Sequence, residues 1–563
     1  MAPGPAGLCV GLAGTTGRRY KTKIAPASRP TTVAGGAGEG ATGTPGADRR
    51  GPEADRGRTR RRPPARSAAA HPDRPALRLG ADELTFAELD DLSSRAAARL
   101  RALGTASGDR VAVLLPNSPV FAVLYYGILR AGAIVVPLNP ALRAGEVEHC
   151  LDDAGAALLL AWHRDAQEAV EGARRTGTPH LVVEPRAFLD GLRAHRPPDR
   201  DEPRSPADSA VVLYTSGTTG DPKGAELTHR NLRRNVDEGA RVLRLGPTDV
   251  VFGGLPLFHS FGQVMGLNCA VSVGACLTLL PRFTPEDALS VIERDRVTVF
   301  LGVPTMYTLM LRLAQDPGSR PRDPSTLRVG LCGGSPMPVE VLHGFEEAFA
   351  CAVLEGYGLS EASPLACVNR IDRERVAGTV GVPVDGVEMR VVDRAGRELP
   401  DGEVGEIVIR GHNVMRGYWR RPRATAEAVR DGWLHTGDLG VRDARGDFRI
   451  VDRIKDLVIR GGCNVHPREV EEVLHAHPAV AEAAVVGVPH EVHGQEVAAA
   501  VVLRAGRSAT PEELIGFVRE RVAPFKYPRV VWITDHLPKG PTGKVLKREI
   551  VRPGPDAGRG STG

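Results

Sequence analysis

No stretch of the chain is apolar for long enough to cross a bilayer. The longest candidate, residues 266–280, falls short of the ~18 residues a spanning helix requires and is broken by Asn268, Ser272 and Gly274, so it reads as a buried helix–strand pair. Eight cysteines are present, but none forms a C-x-x-C pair and none shows metal-type spacing, so neither a disulfide framework nor a zinc site is indicated and a reducing cytosol fits best. The G-x-x-x-x-G-K-[ST] spacing of a Walker A loop is missing too, and there is no internal repeat.

What is present is a 563-residue chain with 42% hydrophobic content, enough for a large core and more than one domain. Its net charge of +5 suggests nucleic acid only until the charge is located. Residues 1–70 hold 13 Lys+Arg against 4 Asp+Glu, so the remainder of the chain is net acidic, and nucleic acid is not an expected partner. This segment is rich in Gly, Ala, Pro, Thr and Arg and has too little apolar surface to bury, so it reads as a disordered tail preceding a fold that begins at His71. Other readings of the tail are a contact of Arg60, Arg61 and Arg62 with anionic lipid or nucleic acid, or a targeting signal, for which residues 8–12 are too short an apolar region.

From His71 the pattern is α/β. Thr85 and Glu88 form a capping-box signature opening an amphipathic helix to about Leu103, with Leu89, Leu92, Ala96 and Leu100 on one face. Residues 111–115 and 135–138 read as buried strands, and a helix is expected between them from Pro119 to about Ala131. Such alternation predicts parallel sheets covered by helices. A charged, Pro-rich connection over residues 197–206 leads to the most informative stretch.

That stretch is residues 214–224, Tyr-Thr-Ser-Gly-Thr-Thr-Gly-Asp-Pro-Lys-Gly. An apolar run, residues 210–213, feeds it, and Thr228 opens a helical pattern after it, which predicts a strand–loop–helix phosphate cradle. Glycines let the backbone approach an anion, the Ser and Thr hydroxyls add donors, and Lys223 supplies a point charge.

Six further motifs follow in order: residues 255–262 (Leu-Pro-Leu-Phe-His-Ser-Phe-Gly), 333–336 (Gly-Gly-Ser-Pro), 356–361 (Gly-Tyr-Gly-Leu-Ser-Glu), 432–438 (Gly-Trp-Leu-His-Thr-Gly-Asp), 452–456 (Asp-Arg-Ile-Lys-Asp) and 541–544 (Pro-Thr-Gly-Lys). With the loop, this series resembles the adenylate-forming superfamily of acyl-CoA synthetases, luciferases and amino-acid-activating domains, over about residues 71–552. The likeness is nearest to bacterial medium- or long-chain fatty-acid CoA ligases. The resemblance implies a tail at 1–70, a large multi-sheet α/β adenylation domain at 71–453, a hinge at 454–455, a small α+β C-terminal domain at 456–552 that closes over the site, and a second tail at 553–563.

The resemblance also distributes roles. Thr215, Ser216, Gly217, Thr218, Thr219, Gly220 and Lys223 would hold the phosphates of ATP, with Thr215 and Glu361 on Mg²⁺. Tyr357, between Gly356 and Gly358, would stack on adenine beside Ser360, with Gly334, Ser335 and Pro336 as the other wall. Asp438 would accept from the ribose hydroxyls, Arg453 would add a ribose or phosphate contact, and Lys455 would be the hinge. Lys544 would bridge the carboxylate and α-phosphate during adenylation. Gly461 and Gly462 would meet the pantetheine arm of CoA, although Cys463 and His466 depart from the family's frequent acidic and Tyr residues. His259 stands where amino-acid-activating relatives carry Asp, which argues against an amino-acid substrate, and would gate an acyl tunnel walled by residues 264–267, 302–306 and 330–333.

The expected function is thus ATP-dependent conversion of a medium- or long-chain fatty acid through an acyl-adenylate to acyl-CoA, with AMP and pyrophosphate released. A carboxylate needs this detour because oxide cannot leave under thiol attack, whereas AMP can. Lys544, Lys223, Glu361 and His259 are the expected catalytic residues; ATP, Mg²⁺ and CoA are the expected cofactors. The location would be cytoplasmic, with at most peripheral membrane contact, and a homodimer stays open. Transfer to a carrier protein instead of CoA, or nucleotide and acyl binding without turnover, are the alternatives.

Overall fold

The computed structural model describes residues 63–164, 166–215, 222–461, 463–540 and 545–551. Two large sheets dominate the N-terminal body. One has nine strands, ordered Val382–Pro383, Leu365–Val368, Ala352–Gly358, Val329–Cys332, Val299–Gly302, Val250–Gly253, Cys276–Leu279, Pro75–Leu79 and Asp82–Thr85. The other has seven, ordered Gly417–Tyr418, Lys223–Thr228, Ser209–Thr215, Ile134–Pro137, Arg110–Leu114, Leu158–Trp162 and His180–Val183. Their central strands run parallel, as α/β alternation predicts; both edges of the nine-stranded sheet and the Gly417–Tyr418 edge of the seven-stranded one are antiparallel, whereas its His180–Val183 edge is parallel.

The largest core lies between these sheets, where Val251, Leu277 and Leu331 of one share a cluster with Val113, Val135 and Leu213 of the other. Helix Pro119–Arg130 fills the space and is buried along nearly its whole length, which is why its sequence is apolar all round instead of striped. Helix Phe86–Ala102 carries the expected capping box, in which the Thr85 side chain accepts from the Glu88 N–H and Glu88 reaches back to the Thr85 N–H. Each sheet has a second core on its outer face. Helices Pro285–Asp295, Pro304–Gln315 and Val339–Phe349 cover the nine-stranded sheet around Phe300, Tyr307 and Phe345; helices Ala144–Ala154 and Gln167–Thr176 cover the seven-stranded one. A smaller sheet, built on Val387–Val392, Gly405–Gly411, Trp433–Arg442 and Phe448–Arg453, follows. After the 3₁₀ turn Ile454–Asp456 comes a C-terminal α+β unit with its own apolar core around Val485, Val501 and Leu514.

Two expectations change. The chain after the expected phosphate loop does not enter a helix at once: Lys223–Thr228 returns antiparallel to Ser209–Thr215, and helix His229–Val242 starts only at its Thr228 cap. The alternation of Lys223, Ala225 and Leu227 with Gly224 and Glu226 suits a strand, and the helical pattern begins only after it. The fold also begins before His71. Pro63–Ala70 is a helix packed against helices Phe86–Ala102 and Cys269–Val273, with the buried Ser67 hydroxyl donating to Val271 O at 2.6 Å. Its Pro–Ala–Ser composition looks like low complexity, but Ala is the best helix former and Pro fits a first turn. Residues 1–62 and 552–563 lie outside the described residues.

Among the described residues seven cysteines are free, and no helix is long and apolar enough to cross a membrane. Glu355, in strand Ala352–Gly358, is 2% exposed; its Oε1 accepts from the Met337 N–H at 3.1 Å, and burial pushes its carboxyl up to about 7, with Arg468 and Arg449 opposing and Glu472 reinforcing the shift.

Two outcomes follow from this architecture. A chain shortened to begin at Arg61 should keep full activity and Tm, whereas one beginning at His71 should melt at lower temperature because helix Pro63–Ala70 is gone; differential scanning calorimetry on both decides it. For Glu355, a carboxyl whose pKa is raised in the folded state contributes stability below its ordinary value near 4.5 that is lost as pH rises through about 7. Glu355→Gln should therefore gain on the parent between pH 5 and pH 8, by on the order of 3 kcal/mol at most, measured as urea unfolding at the two pH values.

Candidate active site

The strands Ser209–Thr215 and Ala352–Gly358 belong to different sheets, and the residues at their ends meet. Thr215 Oγ1 lies 3.3 Å from Glu361 Oε1, to which it donates. Tyr418, paired through its edge strand with Ala225, donates its phenol to the same Glu361 oxygen at 3.0 Å. Desolvation, then the Glu361 charge, holds the Tyr418 phenol protonated well above its ordinary range. Lys223 Nζ sits 5.6 Å from the centre of the Tyr418 ring, within cation–π range. Glu361 is held from behind as well, since the Met415 N–H donates to its backbone carbonyl at 2.8 Å. Gly358 lets this turn form: a Cβ there would collide with Pro364 O.

A second group gathers on the other side of the same turn. The Tyr357 hydroxyl donates to Asp438 Oδ2 at 2.6 Å, and Arg453 Nε donates to Asp438 Oδ1 at 2.9 Å. Asp438 and Arg453 are cross-strand partners, so sheet register sets their meeting. Burial, followed by the Asp438 charge, raises the Tyr357 phenol far above its usual range, and Asp438 with Tyr357 keeps the Arg453 guanidinium raised although desolvation opposes it. Lys455 lies two residues after Arg453; desolvation and then the Arg453 charge lower its ammonium, against Asp456 and Asp438. Gly333 is buried, whereas Gly334, at φ +87°, and Pro336 are exposed beside half-buried Ser335. Ser360 Oγ lies 3.4 Å from Ser260 Oγ, which ties the turn to the segment bearing His259.

Half-buried His259 leads into a π-helix, Phe261–Asn268, and its Nδ1 accepts from the Phe261 N–H at 3.3 Å, which leaves the ring proton of the neutral form on Nε2. The expected acyl wall divides between two faces. Leu301, Val303, Leu331 and Val264 line the central core, but a Cβ at Gly302 would meet Phe300 and Tyr307, and one at Gly330 would meet the Tyr307 hydroxyl, all in the outer core. Alternation along a strand explains the split, and Gly302 and Gly330 make room for Tyr307. Gly461 lies in the turn before Cys463–Val465, its N–H donating to His493 O at 2.9 Å. Ser216, Gly217, Thr218, Thr219, Gly220, Gly462 and Lys544 lie outside the described residues.

Sequence reading missed Tyr418. Its only local signal is an aromatic pair, Tyr418–Trp419, following Gly417 near the end of the α/β body.

The donor set fits a hard divalent cation. A threonine hydroxyl can offer a lone pair while its proton points to a carboxylate, and Glu361 keeps acceptor sites beyond those used by Thr215 and Tyr418. Beside it stand a lysine and a hydroxyl-bearing strand end, a setting for polyphosphate, and a buried carboxylate–arginine–tyrosine group, a setting for a nucleoside.

Such a body, with a small α+β unit after it, is that of enzymes that activate acids with ATP. The chain belongs to the AMP-binding enzyme family, whose model matches residues 64–419, while that of the AMP-binding enzyme C-terminal domain matches residues 469–544. It is 40% identical over 494 residues to a feruloyl-CoA synthase of Amycolatopsis sp, covering 87% of this chain and 98% of the relative. To a long-chain-fatty-acid–CoA ligase of Bacillus subtilis it is 36% identical over 529 residues, covering 86% and 92%. Among solved structures, ATP-bound MatB from Rhodopseudomonas palustris is similar at a TM-score of 0.80 and 35% identity, over 86% of this chain and 97% of that one. A benzoate CoA ligase from Burkholderia xenovorans LB400 also reaches 0.80, at 30% identity, over 87% and 99%. The protein is accordingly an AMP-forming acid–thiol ligase that works through an adenylate.

If Glu361 has the role its neighbours suggest, Glu361→Ala should slow pyrophosphate release by ~10²-fold or more at saturating Mg²⁺ with the fold retained. Tyr418→Phe, which removes one donor to the same oxygen, should cost about 3- to 10-fold. Steady-state pyrophosphate assays with circular dichroism as the folding control measure both.

Proposed function

We propose that the protein activates a medium- or long-chain fatty acid and transfers it to CoA. The observation that carries the adenylation half of this reading is the meeting of Thr215, Glu361 and Tyr418 beside Lys223, where two sheets end. ATP brings a polyanion to which a carboxylate anion must come close, so the site has to neutralise charge before the bond to the α-phosphorus can form. Mg²⁺, held by Thr215 and Glu361, would supply charge neutralisation. Lys223 adds a fixed positive charge, and Tyr418 keeps Glu361 oriented by donating to Oε1. Asp438, fixed by Arg453 and Tyr357, has further lone pairs for a vicinal diol, which suits ribose. Tyr357 and the Gly334–Ser335–Pro336 segment would bracket the base.

The Lys544 ammonium would bridge carboxylate and α-phosphate oxygens in the first step. The turn holding Lys455 would then let the C-terminal unit bring Gly461 and Gly462 to the adenylate for thiol attack, AMP leaving as the acyl–sulfur bond forms. The fatty-acid assignment is supported by the similarity to a long-chain-fatty-acid–CoA ligase and by the aliphatic character of Val264, Leu301, Val303 and Leu331, core residues within the stretches expected to wall the acyl site. A cytoplasmic location fits this role.

A phenolic acid is the second reading. Similarity to a feruloyl-CoA synthase supports it, as does Gln263, which is fully buried at the start of the π-helix with an Oε1 that has no hydrogen-bond partner among the described residues. A hydroxyl-bearing substrate could satisfy that acceptor, and an alkyl chain could not.

The deciding experiment is a pyrophosphate-release screen over C6 to C18 fatty acids, ferulate, benzoate and malonate, with and without CoA. Fatty acids should give the highest kcat/KM and turnover should need CoA; preference for ferulate would select the second reading. Gly266, whose Cβ would find only ordinary contacts with Leu301 and Leu277, is the position for a size test. Gly266→Val should lower kcat/KM for the longest acids ~10-fold while sparing short ones.

A further inference from the structure

Helix Ala144–Ala154 covers the outer face of the seven-stranded sheet, burying Val147, Cys150 and Leu151. His149 and Asp153, four residues apart on one helix, project side by side toward the hairpin that carries Thr215 and Lys223. His149 Nε2 lies 3.1 Å from the carbonyl oxygen of Pro222, the residue before Lys223. A carbonyl oxygen can only accept, so the ring nitrogen donates, as both the neutral Nε2–H tautomer and the imidazolium can. Asp153 Oδ2 accepts from the hydroxyl of Tyr214, the residue before Thr215, at 2.8 Å. Its other oxygen accepts from Arg421 at 2.6 Å, and the Arg421 N–H donates to the Tyr418 carbonyl at 3.0 Å. The His149 and Tyr214 rings meet edge to face with centroids 6.5 Å apart.

One helix face therefore grips the residue immediately before Thr215, the residue immediately before Lys223 and the segment that supplies Tyr418. We propose that His149 is a positioning residue for adenylation: its ring N–H fixes the start of strand Lys223–Thr228 and so sets where the Lys223 ammonium stands relative to Thr215 and Glu361. Pro222 has no N–H of its own to anchor this point, which leaves its carbonyl as the handle. The inference rests on the reading of Thr215 and Lys223 as the triphosphate site.

The test uses the full chain and measures both half-reactions, pyrophosphate release with varied ATP and thioester formation from supplied acyl-adenylate. His149→Phe keeps a ring against Tyr214 and removes the donor; it should raise KM for ATP about 3- to 10-fold and leave KM for the acid and the thioester step within twofold. His149→Gln, whose amide N–H reaches as far as Nε2, should recover most of the loss, and the shorter His149→Asn should not. Lys223→Ala, assayed in parallel, should raise KM for ATP or lower the adenylation rate more than any of them. If Lys223→Ala leaves adenylation unchanged, the triphosphate reading fails and the inference with it. If Lys223→Ala is damaged but His149→Phe keeps its ATP KM, or loses both half-reactions equally together with Tm, His149 is a packing residue and the inference alone is overturned. Should His149→Phe not accumulate as folded protein, the Gln and Asn pair decides: equal ATP KM values for the two overturn the proposal.

Discussion

A hydrogen bond between Thr215 and Glu361 joins the end of a strand in one sheet to the turn after a strand in another, and the rest of the site is arranged around that junction. Neither sheet alone places a hydroxyl, a carboxylate and a lysine together. Their separation is fixed by the core between them, where helix Pro119–Arg130 is buried on all sides. Close packing of that layer transmits any change in its volume to the Thr215–Glu361 distance. Tyr418 completes the junction from a third direction, since its short strand pairs with the Lys223 strand while its hydroxyl binds Glu361.

The nucleoside group depends on a different constraint. Asp438 is 3% exposed, and a carboxylate so placed needs compensating partners. Arg453 and Tyr357 provide them, one from the neighbouring strand of the third sheet and one from the nine-stranded sheet. Arg453 is also the last strand residue before the Ile454–Asp456 turn, so the partner of a buried carboxylate is continuous in the chain with the expected pivot of the C-terminal unit. Rearrangement of that turn acts on Arg453 first, and through it on the acceptor expected to hold ribose.

Features encoded within a few residues were legible in the sequence. The Thr85 and Thr228 caps, the buried helix–strand pair at 266–280 and the α/β alternation all depend on local spacing, and the fold class with its large and small domains followed from them and from the ordered motifs. Features that depend on tertiary placement were not. The helical pattern after Thr228 concealed the six-residue strand before it, and the small residues of Pro63–Ala70 concealed a helix that packs on a distant one. Gly302 and Gly330 fell within a stretch expected to wall an acyl tunnel, yet strand alternation turns them toward Tyr307. Tyr418 reaches Glu361 only because an edge strand pairs far from it in sequence. At the site, Tyr357, Asp438 and Arg453 come together from three of the ordered motifs, whereas the His149 and Asp153 contacts had no signal beyond two polar residues on an amphipathic helix.

The hydrogen bond from Ser67 to Val271 spans 204 residues of chain. A ribosome adding ~5–20 residues per second makes helix Pro63–Ala70 and its neighbour Phe86–Ala102 roughly 10–40 s before the second docking partner, helix Cys269–Val273, emerges. For that interval the segment is an Ala-rich helix too short to be stable alone. This edge of the N-terminal body is thus made early and fully secured late, and for most of the synthesis of that body a nascent-chain protease or chaperone meets it with one of its two packing partners missing.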